Sequence, residues 1–93
     1  MFVKRSDRPI FVRDHLGHSL SRADLPAPDT VRWVARRKAA VVAAVDGGML
    51  TQEEAFDLYG LSEEELGEWR RALGTHGLSA LRVTAMQRYR QVR

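Results

Sequence analysis

The chain has 93 residues, a formal net charge of +3 and no cysteine. This length suits one small domain with a modest core, and the lack of cysteine excludes disulfides and thiolate metal sites. The charged N-terminal residues do not resemble a signal peptide, and no stretch approaches the roughly 20 apolar residues of a membrane span. We therefore expect a cytoplasmic protein.

Residues 1–22 are predicted to form an N-terminal arm that includes a short β-hairpin. β-Branched and aromatic residues at positions 10–12 favour a strand, and a turn is expected over 14–17. Residues 23–93 are assigned to the main domain with a basic C-terminal extension. This domain begins with a linker, because proline pushes the residue before it to extended geometry at Pro26 and Pro28.

The first helix is predicted over residues 30–46. Asp29 or Thr30 can cap its N-terminus, and the glycines at 47 and 48 end it. Its apolar residues form one broad face on a helical wheel; they are Trp33, Val34, Val41 and Val45.

The second helix is predicted over residues 52–59. Thr51 and Glu54 form the T-x-x-E pattern of a capping box, which marks a helix start. Gly60 is expected to end this helix in a left-handed conformation.

The third helix is predicted over residues 63–73. Ser62 and Glu65 repeat the capping-box pattern, and the glycines at 74 and 77 are expected to end the helix. Two short helices joined by a tight glycine turn are typical of a helix-turn-helix.

The fold class is therefore predicted to be all-α, a small helix-turn-helix with a three-helix core, an N-terminal hairpin and a basic C-terminal segment. A plain three-helix bundle is the alternative. Phe56 stands where this motif usually has a small residue, which implies a wider helix crossing or a side pocket. The predicted core residues are Trp33, Val41, Val45, Leu50, Ala55, Tyr59, Leu61, Leu66, Trp69, Leu73 and Leu78.

Basic residues flank an acidic middle segment. Residues 31–45 and 70–93 contain no acid, and residues 46–69 contain no base. This distribution suits a protein that contacts nucleic acid with some surfaces and another partner with others, although a basic run can also be a solvated face. The DNA-binding candidates are Arg32, Arg36, Arg37, Lys38, Arg70, Arg71, Arg82, Arg88 and Arg90.

Acidic residues open the third helix, where a DNA-reading helix would meet a polyanion. Glu65 is explained by the capping box, and acids in a first turn complement the helix dipole. Glu63, Glu64 and Glu68 remain as candidates for binding a protein partner or for accepting hydrogen bonds from cytosine amines.

Nothing in the sequence indicates an enzyme. His15 and His18 are three residues apart in a predicted turn with no further ligand cluster, and neither a phosphate loop nor a glycine fingerprint is present. We expect no catalytic residue, metal, cofactor or small-molecule ligand.

The sequence resembles the SciP-like family of small helix-turn-helix regulators of alphaproteobacteria over about residues 23–90. The resemblance is carried by ADLPAPDT, RWVARRKAAVVAAV, GGMLTQEEA, Trp69, HGL and ALRVT. It implies a nucleoid-associated regulator that binds double-stranded DNA and restrains a partner response regulator of the CtrA type. The alternative is a protein-binding inhibitor that has a helix-turn-helix fold but does not read DNA.

Overall fold

A computed structural model describes residues 8–77, 80 and 81. Within them the chain forms an antiparallel β-hairpin of β1 (Phe11–Arg13) and β2 (Ser19–Ser21), a short 3₁₀ turn, and three helices. The helices are α1 (Ala35–Asp46), α2 (Gln52–Tyr59) and α3 (Glu63–His76). The molecule is thus a small helical domain with a two-stranded hairpin at its N-terminus.

The hairpin has the predicted turn, and Asp14 organises it. The Asp14 carboxylate accepts hydrogen bonds from Leu16 N at 2.9 Å and His18 N at 2.8 Å, which is how aspartate stabilises a turn. Val12 pairs directly with Leu20, and both side chains are buried. The hairpin therefore contributes to the same core as the helices.

Helix α1 begins at Ala35, five residues later than the start predicted at 30. Neither Asp29 nor Thr30 caps it; Val34 is the N-cap, in extended conformation and without a side-chain cap. The extended segment delivers Trp33 to a fully buried position. Burial of this large aromatic side chain outweighs the local capping signal.

Helix α1 lies in the middle of the domain and is buried on most of its sides. The expectation of one apolar face was too narrow, because Ala39, Val42 and Ala44 are buried together with Val41. Residues 39–45 of α1 are apolar on every side of the helix, and a helical segment of that kind belongs in a core. The predicted glycine stop is confirmed, and Gly48 has a φ of 86°.

Helices α2 and α3 begin as predicted. Both capping boxes are present, with Glu54 N donating to Thr51 Oγ1 at 3.0 Å and Glu65 N donating to Ser62 Oγ at 3.1 Å. Gly60 ends α2 in the left-handed region at φ 66°, also as predicted.

Helix α3 continues three residues past its predicted end, to His76. Gly74 lies inside the helix and does not stop it, because glycine weakens a helix without forbidding it. Gly77 is the C-cap, with a φ of 81°.

Three aromatic rings hold the helices together. The Trp33 ring centroid lies 5.2 Å from that of Tyr59, edge to face, and 5.4 Å from that of Trp69. The Tyr59 hydroxyl donates to the Pro26 carbonyl at 2.9 Å. Burial raises the pKa of Tyr59, and the nearby Arg22 charge opposes that shift.

Most of the predicted core residues are buried. Val45 and Leu73 are only partly buried against the core, as is Phe56, and Leu78 lies outside the described residues. The prediction omitted a set of buried positions that includes Val12, Leu20, Ala35, Lys38, Ala39, Ala40, Val42, Ala43, Ala44, Met49 and Leu81.

Candidate nucleic-acid and partner interface

The exposed side of α3 presents acidic residues first and a basic residue after them. Glu63 and Glu64 are exposed in the first turn, Glu68 is half-buried, and Arg71 is exposed two turns from the N-terminus. The Glu65 carboxylate is already engaged, because it accepts a hydrogen bond from Ser62 N at 2.8 Å. Of the acids at the start of α3, Glu63 and Glu64 therefore have the most solvent available for a partner.

Arg70 is held by an ion pair with the end of α1. Its Nε donates to Asp46 Oδ1 at 2.9 Å, and both side chains are partly exposed. An exposed pair of this kind contributes about 0–1 kcal/mol to stability, so Arg70 can exchange Asp46 for a phosphate at low cost. Arg71, its neighbour, has no ion pair within the described part of the chain.

An exposed basic cluster lies at the start of α1 and just before it; it consists of Arg32, Arg36 and Arg37. An Arg37 guanidinium nitrogen donates to the Arg32 carbonyl at 3.0 Å, which restrains the side chain of Arg37. Within the described part of the chain, none of these three arginines forms an ion pair.

The prediction that Lys38 contacts DNA is corrected by its burial. The residue is 0% exposed, and its ammonium donates to the Leu81 carbonyl at 2.8 Å. The ammonium nitrogen also lies 5.6 Å from the centroid of the Trp69 ring, within cation–π range. Lys38 therefore links α1 to α3 and to the segment that follows α3, and it is not available to a phosphate.

Burial also changes the acid–base behaviour of Lys38. Desolvation lowers the pKa of Lys38, because it disfavours the charged form, and the negative charge of Glu68 works against that shift. Glu68 therefore stabilises the charged form of the buried Lys38, although Glu68 itself is partly exposed.

The remaining basic candidates, Arg82, Arg88 and Arg90, lie outside the described residues. The histidine motif gathers no further ligands: among residues 8–77, 80 and 81, no group of three or more metal-binding side chains could hold an ion. Residues 8–77, 80 and 81 contain no helix that is both long and apolar enough to cross a membrane.

A cleft of about 600 Å³ lies between the hairpin, the proline-containing segment of residues 22–30 and α1. Leu20, Leu25 and Ala40 supply apolar lining, while Arg36 and Arg37 line it from α1. Sequence reasoning missed this cleft, because its walls come from segments that are distant along the chain.

Acidic side chains line the same cleft, and turns hold them. Asp24 accepts a hydrogen bond from Ser21 N at 2.9 Å. Partial desolvation acts to raise the pKa of Asp14, but hydrogen bonds from His18 N and Leu16 N outweigh it and hold that pKa below its usual value. Both carboxylates are engaged within their own turns.

These features define a small three-helix domain with an N-terminal hairpin, an acidic start to α3 and a basic start to α1. The sequence profile of a family described as a protein of unknown function, DUF1153, matches residues 4–90. The chain belongs to the DUF1153 family. No curated protein matches it.

Two solved structures are similar to this chain. One is the NMR solution structure of a Rhodobacter sphaeroides protein, 56% identical, covering 100% of this chain and 98% of that chain with a TM-score of 0.70. The other is a structural-genomics target solved by NMR, 50% identical, covering 90% of this chain and 83% of that chain with a TM-score of 0.58. The fold is thus shared with close relatives.

Proposed function

We propose that the protein is a DNA-binding transcriptional regulator in which α2 and α3 form a helix-turn-helix. The observation that carries the proposal is the pair of capped helices joined through Gly60, whose left-handed φ of 66° makes the tight turn. In such motifs the second helix lies in the major groove with its N-terminal residues toward the bases. Helix α3 takes that role here.

The exposed residues of α3 suit selective rather than general DNA binding. Arg71 can pair with a guanine, and Glu63 or Glu64 can accept from a cytosine amine. The same acids repel phosphates, so nonspecific affinity must come from arginines outside the first turn of α3. Arg32 and Arg70 are exposed or partly exposed and fit that need.

The second part of the proposal is a protein partner. The resemblance to SciP-like regulators supports a partner response regulator of the CtrA type, whose transcriptional activity this protein restrains in the cytoplasm, at the nucleoid. A helix-turn-helix monomer reads few base pairs, so a partner already on the DNA also supplies specificity.

The alternative is a protein-binding inhibitor that has a helix-turn-helix fold but does not read DNA. The observation that favours it is the exposure of Glu63 and Glu64 at the end of α3 that would enter the groove. In that case the acidic turn contacts a basic surface on the partner.

Chemical-shift mapping tests the proposal. The ¹⁵N-labelled chain is titrated with a mixed-sequence duplex long enough for two helical turns, roughly 20 bp, at low salt. The proposal predicts that the amide shifts concentrate on α3 around Glu64 and Arg71 and reverse when salt is added. Absence of shifts, or shifts confined to surfaces away from α3, would overturn it.

A further inference from the structure

The seven glycines of the chain divide into those that the fold requires and those that it does not. Four have a positive φ, at positions 17, 48, 60 and 77. Gly47 is required for another reason, because a Cβ there would lie 2.5 Å from Val12 Cγ1. The remaining two, Gly67 and Gly74, lie inside α3 without a positive φ. Since glycine weakens a helix, local structure favours neither of them.

Packing does not require a glycine at position 67 either. Outside the backbone of its own helix, a Cβ on Gly67 would meet one group of the described residues, Arg71 Nη1, at 3.5 Å. That distance is an ordinary van der Waals contact, so alanine fits the free protein. Gly67 therefore weakens α3 without a compensating contact within the described part of the chain.

The position of that nitrogen shows how the Arg71 side chain lies. Its guanidinium group reaches back along α3 by one turn, to the level of Gly67, which is the direction that helical side chains usually take. A glutamate four positions before an arginine commonly pairs with it on a helix, but position 67 has no side chain, and no ion pair joins Arg71 to Glu68. The exposed guanidinium group thus lies beside bare helix backbone, and no ion pair within the described residues neutralises it.

We propose that Gly67 determines DNA specificity together with Arg71, because the bare backbone at Gly67 leaves the space in which a guanine meets the Arg71 guanidinium group. This rests on the proposed function and deepens it, since it names a second residue on which base reading by α3 depends. One arginine can donate to both O6 and N7 of a guanine.

The geometry explains why a single methyl group matters at this position. The acceptor atoms of a guanine must come within about 3 Å of the guanidinium nitrogens. A methyl group on residue 67 would lie 3.5 Å from Arg71 Nη1 and would occupy part of that space. Glycine is also the residue that lets a helix backbone approach a ligand most closely.

Gly74 provides a matched control on the same helix. A Cβ at Gly74 meets nothing within 4 Å, so it does not contact the Arg71 guanidinium group. Gly74 also lies near the C-terminal end of α3, whereas the N-terminal residues of a recognition helix are the ones that contact bases. Gly74→Ala therefore makes the same chemical change away from the proposed reading position.

The test is the selection of binding sites from a pool of random duplexes by the natural chain and by three variants. Gly67→Ala should lose the preference at the same base pair as Arg71→Ala, whereas Gly74→Ala should keep it. On the duplex that the natural chain selects, Gly67→Ala should bind about tenfold more weakly, as expected when a bidentate pair is lost. Its affinity for a scrambled duplex should not change.

Urea unfolding separates this effect from damage to the fold. Gly67→Ala and Gly74→Ala should both unfold at higher urea concentrations than the natural chain. If Gly67→Ala selects the same site with unchanged affinity, or weakens binding as much in an Arg71→Ala background as in the natural chain, the inference is wrong. It is also wrong if the natural chain binds DNA without any base preference. A natural chain that binds no duplex at low salt would instead overturn the DNA-binding proposal itself, and the inference with it.

Discussion

Replacing Gly47 with alanine should disrupt the contact between α1 and the hairpin. Gly47 has a φ of −86°, which alanine adopts freely, so the backbone itself does not resist the change. An added Cβ, however, would lie 2.5 Å from Val12 Cγ1 and 2.8 Å from Val12 Cβ. Rotation about χ1 of Val12 cannot relieve the contact with its Cβ, and a β-branched side chain has few alternative rotamers for its Cγ1.

The magnitude follows from two opposing effects. Overpacking a core costs about 1–3 kcal/mol, and a glycine-to-alanine change returns about 0.4–1 kcal/mol by restricting the unfolded chain. We expect a net loss of about 1–2 kcal/mol in the free energy of unfolding, measured by urea denaturation. For a domain of this size each kcal/mol lowers Tm by roughly 4–8 °C.

Gly74→Ala is the matched control, because a Cβ at Gly74 meets nothing within 4 Å. It should stabilise α3 by about 0.5–1 kcal/mol. A double-mutant cycle tests the contact with Val12 Cγ1: in a Val12→Ala background, which removes that atom and keeps the contact with Cβ, Gly47→Ala should destabilise less, by at least about 0.5 kcal/mol. If Gly47→Ala stabilises as much as Gly74→Ala, or has the same effect in both backgrounds, the packing of the hairpin on α1 is wrong.

Four further predictions concern the turn, the buried lysine, and Arg71 and Glu64 on the exposed side of α3. Gly60→Val should lower the free energy of unfolding by about 1–2 kcal/mol or more, since a β-branched residue fits a φ of 66° badly; unchanged urea denaturation would contradict the turn. Because burial lowers the pKa of Lys38 below its ordinary 10.5, the unfolded chain binds its proton more tightly, and stability should rise with pH between the folded and the unfolded pKa. The stability difference between the natural chain and Lys38→Met, measured as the pH is raised from neutral toward 10.5, should therefore grow in favour of the natural chain, and a flat difference would refute this. Arg71→Ala should cost about 1–3 kcal/mol on a preferred DNA site and relax the preference at one base pair, as competition binding across site variants would reveal; an equal loss on all sequences would make Arg71 a phosphate contact. Glu64→Lys should raise nonspecific DNA affinity roughly tenfold at low salt, because repulsion becomes attraction; unchanged anisotropy titrations would show that α3 does not approach DNA.

The parts of the fold that short-range signals determine were predictable from the sequence. Both capping boxes, the left-handed turn at Gly60 and the hairpin turn at Asp14 depend on residues within four positions of one another. Each supplies hydrogen bonds or conformational freedom that the backbone needs at that point. Such signals do not depend on the rest of the chain.

The start of α1 and the environment of Lys38 were not predictable, because distant partners determine them. Trp33 lies before the helix rather than in it, and its ring packs against Tyr59 and Trp69. Lys38 has the spacing of a helix border residue, and its burial requires an acceptor at Leu81, 43 positions away. A helical wheel shows only the residues of one helix, so it cannot indicate an acceptor that distant along the chain.

The candidate site also has a part that was predictable from the sequence and a part that was not. The exposed acids and Arg71 on α3 follow from helix periodicity once the capping box fixes the start of the helix. The cleft that Arg36 and Arg37 line depends on the hairpin, the proline-containing segment and α1 meeting in space. The sequence therefore allowed the charged surface residues to be predicted, but not the cleft between the hairpin and α1.

The salt dependence of DNA affinity tests the central claim most directly. The equilibrium constant for a duplex is measured by fluorescence anisotropy over a series of salt concentrations and plotted as log K against log salt. Each phosphate neutralised adds about −0.9 to the slope, so a regulator that uses several arginines should give a slope of about −2 or steeper. No binding at the lowest salt, or affinity that does not change with salt, would contradict DNA binding and favour the protein-binding inhibitor.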